Sequence, residues 1–139
     1  MTVIIDTSVW IALFKDKSGR VPQAIKDAVG VELSVMMPPP VRLELLQGCR
    51  GEAEWAAMKR RVEAFELLAM TPSTWDEAAR TYFELRQSGV TIHSSLDCCI
   101  AQLAIEHHAR LIHNDGDFDR IAVIRPLRHT RLKLDFLSN

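Results

Sequence analysis

Short apolar runs alternate with helically periodic stretches along this chain, and no Asn-Gly hairpin signal joins one run to the next. Runs linked through helices cannot form a meander; they pair in parallel, with the helices making the return. Val3 to Ile5 is apolar without alternation, as a strand covered on both faces requires. Val31–Met37, Glu66–Met70 and Leu111–His113 are the next strands, and Val123-Ile124 is read as a last one. Helices are predicted from the Asp6-Thr7-Ser8 cap through Phe14, from Pro22 to near Gly30, and from about Pro40 to Gln47. Three more follow: Glu52 to Ala64, Thr71-Pro72-Ser73 to near Gly89, and Leu96 to about Ala109 under a Ser94 or Ser95 cap. Phe118–Ile121 reads as a single helical turn, and the pattern weakens from Arg125 onward. The 139 residues suit a single domain, 1–139, able to bury a core without a disulfide or structural metal.

The hydrophobic share of 47% and charged share of 25% exclude a disordered chain. A formal net charge of −1 excludes binding to nucleic acid through a blanket of positive charge. It leaves room for a nuclease whose positive charge comes from metal ions and local basic residues. Lys59-Arg60-Arg61 is one such cluster, and Arg125, Arg128, His129, Arg131 and Lys133 are another. They are read equally well as a solvated helix face and a loose surface tail. Three cysteines, with Cys98 and Cys99 adjacent and no CxxC spacing, point to reduced thiols in a cytoplasmic protein, the pair acting as small hydrophobes. The N-terminal apolar stretch is broken by Asp6 and has no basic leader, and no run is long enough to span a membrane. Trp10, Trp55 and Trp75 are expected in the core or at a dimer surface.

The informative feature is where the carboxylates fall. Asp6 ends the first strand, Asp97 lies in the first turn of a late helix, and Asp115 and Asp117 follow the Leu111–His113 strand. In open parallel sheets, sites form outside the carboxyl ends of the strands. Glu44 sits on a helix four residues before Gly48. Each acid also has a structural reading: Asp6 as a turn cap, Asp97 as capping-box partner of Ser94, Asp115 and Asp117 as turn formers, Glu44 as a solvated helix residue. Together, acids converging without a basic neighbour call for hard divalent cations, Mg²⁺ or Mn²⁺, of the kind that activate water for phosphodiester hydrolysis. The run Asp115-x-Asp117-x-Asp119 fails as a calcium loop, with Arg120 at the sixth position and Pro126 at the twelfth.

Four features, taken in order, resemble the PIN-domain ribonucleases, and within them the VapC-type toxins of toxin–antitoxin pairs. They are VIIDTSVWIALF (3–14), PPVRLELLQG (39–48), SSLDCCIAQLAIEHHARLIHNDGDFDRIA (94–122) and the spacing between them. The resemblance implies a three-layer α/β/α sandwich with a short central parallel sheet, and a Mg²⁺- or Mn²⁺-dependent endoribonuclease. It carries Asp6, Glu44 and Asp97 over as the core acids and Asp115 as the fourth, with Asp117 close enough to share or replace that role. Asp6, Asp97 and Asp115 would hold the metal. Thr7 and Ser8 would help hold water or phosphate, and Arg42, beside Glu44, would contact RNA or antitoxin. His113 departs from the resemblance, standing where many relatives have Thr or Ser. The implied partners are an RNA of the transfer or ribosomal class, a cognate antitoxin and a second copy of the chain. Two alternatives stand beside this reading: a PIN-like RNA- or partner-binding module without cleavage, and a receiver-like regulatory metal-binding domain. The second is disfavoured, because the first strand ends in a single Asp6 and the third in Ala69-Met70-Thr71.

Overall fold

A computed structural model describes residues 1–135. Its elements are β1 (Thr2–Ile5), α1 (Thr7–Lys15), α2 (Arg20–Val29), β2 (Ser34–Met37), α3 (Pro39–Gln47) and α4 (Glu52–Glu63). After these come β3 (Glu66–Leu67), α5 (Pro72–Gln87), α6 (Ser95–Glu106), β4 (Arg110–His113), α7 (Gly116–Ile124) and β5 (His129–Arg131). All five strands are parallel, in the order β3-β2-β1-β4-β5. The register sets Val3 against Val35 and Arg110, and Ile112 against Thr130. Helices flank the sheet, giving the expected α/β architecture.

β1 lies at the centre because it is the most continuously apolar strand; Val3 and Ile4 are fully buried. The neighbouring β4 buries Leu111, Ile112 and even His113 completely. From β1 the chain winds outward to β2 and β3, then returns to lay β4 and β5 on the other side. The order therefore reverses between β1 and β4, and a crevice opens there beyond the strands' carboxyl ends. The backbone N–H of Asp6 donates to the Ile112 carbonyl at 2.9 Å, which fixes the end of β1 against β4. α1, α3 and α7 each leave a strand at that edge, and α6 runs back to β4, so its N-terminus lies there too. Four helix N-termini thus ring the crevice.

Several boundaries differ from the sequence reading. Val123 and Ile124 do not form a strand; they belong to α7, which is a nine-residue helix and not a single turn. Asp115 caps it, and Phe118 and Ile121 are fully buried at helical spacing while Val123 is 83% exposed. The last strand falls instead on the polar triplet His129-Thr130-Arg131, held by pairing with β4. Residues 126–135 are no loose tail, since they bury Leu127, Leu132 and Leu134. β2 begins at Ser34 and β3 contracts to two residues, because residues 31 and 32 are exposed and β3 forms a solvated edge. Trp10 is buried, whereas Trp55 and Trp75 are about half exposed. Cys98 and Cys99 are buried with unpaired thiols, as small hydrophobes are.

Candidate metal centre

Each acid reaches the crevice because of where its element begins. Asp6 follows β1 directly and is the N-cap of α1; its Oδ2 accepts the Ser8 N–H at 3.4 Å and the Ser8 hydroxyl at 2.8 Å. Glu44 lies in the second turn of α3, and its Oε1 accepts the Thr7 hydroxyl at 2.9 Å. Thr7 and Ser8 are thus hydrogen-bonded to the acids themselves. Asp97 is the third residue of α6, whose N-cap Ser94 accepts the Leu96 N–H at 3.2 Å. Asp115 is the N-cap of α7, and its Oδ1 accepts the Asp117 N–H at 2.9 Å.

Asp6 and Asp97 are only 5% and 7% exposed, which decides their chemistry. Burial pushes the Asp97 carboxyl up to about 8, and the charges of Asp6, Asp115, Glu44 and Asp117 push the same way. Burial also raises Asp6, against the opposing pull of the Ser8 hydroxyl and the charge of Glu44 on the raising side. Among the described residues, no donor serves the Asp97 carboxyl. A buried carboxylate without a partner is costly, and protonation or a cation relieves it. The helix N-termini offset part of the repulsion, each worth a fraction of a kcal/mol to about 2 kcal/mol. Oxygen atoms of Asp97, Asp115 and Asp117 lie within 4.8 Å of one another, and Asp6 adds its charge from β1. An all-oxygen, strongly anionic set of this kind fits Mg²⁺ or Mn²⁺.

Asp117 differs from the others. Its Oδ1 accepts from Arg120 at 2.8 Å, and its Oδ2 takes the His93 N–H at 2.9 Å and lies 3.1 Å from His93 Nδ1. Burial alone would raise its pKa, but these donors hold it below the ordinary carboxylate value. Asp117 therefore pins the loop before α6 to α7. Arg42 lies 3.9 Å from Glu63 on α4 and makes no ion pair with the acids. His113 is completely buried beside Asp115, and its Nδ1 accepts the Asp115 N–H at 3.2 Å. Burial pulls its pKa down to about 4, outweighing the opposite effect of Asp119. Sequence reasoning noted His113 as a departure but gave it no role; its partner His129 lies sixteen residues away, beyond any local signal.

Residues 3–124 match the PIN domain family. The chain belongs to that family. Ribonuclease VapC11 of Mycobacterium tuberculosis is 32% identical over 91% of this chain and 96% of its own length. Ribonuclease VapC17 of the same organism is 27% identical over 90% of each chain. This PIN domain thus stands among the VapC ribonucleases. Its fold is also that of solved relatives. A chain of VapBC-1 from nontypeable Haemophilus influenzae superposes with a TM-score of 0.74 at 20% identity, covering 94% of this chain and 98% of that one. A chain of VapBC2 from Rickettsia felis, bound to a DNA fragment from its promoter, gives 0.76 at 17% identity over 96% and 100%. β5 lies outside the family match, although it completes the sheet beside the crevice.

Proposed function

We propose that the chain is a Mg²⁺- or Mn²⁺-dependent endoribonuclease of the cytoplasm and the toxin of a toxin–antitoxin pair. The observation that carries this is Asp97: buried, without a donor, and facing four other acids at the switch point of a parallel sheet. Asp6, Asp97 and Asp115 would hold the cation. When bound, it supplies charge neutralisation and Lewis acidity for attack of water on phosphorus and for departure of the leaving oxygen. Glu44, steadied by the Thr7 hydroxyl, orients that water and takes its proton. The 3′-oxygen leaves and takes a proton from solvent, giving a 3′-hydroxyl and a 5′-phosphate. Asp117 keeps the α6 and α7 N-termini in place through His93 and Arg120.

RNA, of the transfer or ribosomal class, needs local cations, because phosphate contacts dominate affinity. Much of the basic charge is already paired: Lys59 with Glu63, Arg125 with Glu84, Arg131 with Asp119. Among the described residues, Arg60, Arg128 and Lys133 make no ion pair, which favours them as phosphate contacts. A groove of about 570 Å³ between α1, α3 and α4 has apolar walls from Ile11, Phe14, Leu45 and Met58, and Glu44 is among its lining residues. An antitoxin segment seated there would cover the approach to Glu44, and solved relatives are toxin–antitoxin complexes. A homodimer completes the proposed assembly. The test is cleavage of total RNA by the purified chain with Mg²⁺, Mn²⁺ or EDTA, and by Asp6→Ala. Cutting abolished by EDTA and by the substitution is expected. Metal bound without cutting, in the absence of a co-purified inhibitor, overturns the catalytic reading in favour of a binding module.

A further inference from the structure

His113 is the one imidazole buried completely among the described residues, and it occupies β4 two residues before Asp115. Its ring packs against Phe118 with centroids 5.0 Å apart. Its Nδ1 accepts the Asp115 backbone N–H at 3.2 Å, so Nδ1 carries no hydrogen. In a neutral ring the hydrogen is then on Nε2, and Nε2 lies 2.9 Å from Nδ1 of His129 on β5. One tautomer satisfies the whole series: Asp115 N–H to His113, and His113 Nε2–H to His129. Asp119 on α7 lies beside both rings, 4.0 Å from His113 Nε2 and 3.6 Å from His129 Nδ1. Arg131 holds the other Asp119 oxygen at 2.8 Å.

The three side chains offer nitrogen and oxygen atoms within 4.8 Å of one another, a grouping that invites a transition metal. The ring geometry rejects it. The ring centroids are 5.2 Å apart, which equals the 2.9 Å N···N distance plus a ring radius at either end. The two nitrogens therefore face each other along the line of centres. Their lone pairs oppose and do not converge on a common point. A shared hydrogen fits this arrangement, and a cation does not.

We propose that His113 is a positioning residue for the Asp115 carboxylate, holding the Asp115 N–H at Nδ1 while its Nε2–H is received by His129; this rests on the reading of Asp115 as a metal ligand. The physical link is short. Asp115 caps α7, and its Oδ1 already accepts the Asp117 N–H. Fixing the Asp115 N–H on His113 removes the remaining freedom of that backbone, and so sets where the carboxylate stands. Without an acceptor, this part-buried N–H is left unsatisfied, or the turn moves to find water and the carboxylate moves with it. β5, outside the family match, thereby becomes part of the support of the metal centre.

The experiment uses the full chain, with Mn²⁺ affinity measured by calorimetry and histidine tautomers by ¹⁵N NMR. His113→Asn keeps an acceptor near the Nδ1 position and loses the reach to His129. His113→Gln keeps that reach and leaves the Asp115 N–H unserved. Removing a partner that orients a metal ligand weakens binding by about 10-fold or more. That loss is expected for His113→Gln, while His113→Asn stays within about threefold of the parent. The parent spectrum should show His113 with hydrogen on Nε2 alone. If the His113 variants do not fold, the parent decides: a ¹⁵N–¹⁵N coupling through the hydrogen bond from the Asp115 N–H to His113 Nδ1 is expected, and its absence overturns the proposal. Equal affinity in parent and His113→Gln, equal losses in Gln and Asn, or hydrogen on Nδ1 in the parent overturns the proposal. A parent that binds no Mn²⁺, or an Asp97→Asn that binds it unchanged, overturns the metal-centre reading and this inference with it.

Discussion

Replacing Asp97 by Asn keeps the side chain's shape and removes one ionisable group from the crevice. In the metal-free protein the Asp97 carboxyl titrates at about 8, against its ordinary 3.8. Between those values the folded protein keeps a proton that the unfolded chain has released. The favourable contribution is therefore complete below 3.8 and is lost progressively as the pH rises through about 8. From pH 6 to pH 9, about two pH units of that window are crossed, at about 1.36 kcal/mol each. The open mouth of the crevice screens part of this, leaving about 2 kcal/mol. Asp97→Asn does not pay this penalty, while most other titrating groups are common to both proteins. Its stability relative to the parent should therefore grow by about 2 kcal/mol between pH 6 and pH 9. Urea unfolding of both proteins in EDTA at the two pH values measures that gap. Mg²⁺ should then stabilise the parent and leave Asp97→Asn nearly unchanged. A gap of the same size at both pH values would refute the raised Asp97 carboxyl, which burial and the neighbouring acids together produce.

Three further outcomes follow from the contacts around the site. Thr7→Val unlinks Glu44, and one hydrogen bond to a charged group is worth about 1.5–3 kcal/mol, so kcat for RNA cleavage should fall about 10- to 150-fold with Mg²⁺ affinity little altered; an unchanged kcat would detach Glu44 from the chemistry. Phe118→Ala removes a completely buried ring and should cost about 3–5 kcal/mol in urea unfolding. Arg120→Ala takes away one donor of Asp117, whose pKa is lowered in the fold. It should cost about 1 kcal/mol at neutral pH, and the cost should vanish as Asp117 protonates below its ordinary 3.8.

Much of this architecture is legible locally. Caps and apolar periodicity mark the helices, and the run before Asp6 marks the central strand, because both signals lie within a few residues. The placement of Asp6, Asp97 and Asp115 at one edge follows from a parallel sheet alone. What escaped depends on partners distant in sequence. β5 is His-Thr-Arg, which has no strand signature until β4 supplies its hydrogen bonds. Asp117 looks like a turn residue, and only the fold shows its oxygens taken by His93, 24 positions earlier, and by Arg120. Thr7 and Ser8 adjoin the first acid in sequence, but the partner of Thr7 is Glu44, 37 residues on.

The central strand limits where the chain can be divided. β1 pairs with β4, more than a hundred residues further on, and the crevice exists only where the two meet. A break in the turn at Ser88-Gly89 would leave Asp6 and Glu44 on one fragment and Asp97 and Asp115 on the other. Neither fragment would hold enough oxygen ligands to bind the cation. Activity would then depend on fragment concentration, rising with the square of dilute, equimolar pieces, and a harmful enzyme would become a reporter of whether two tethered partners have met.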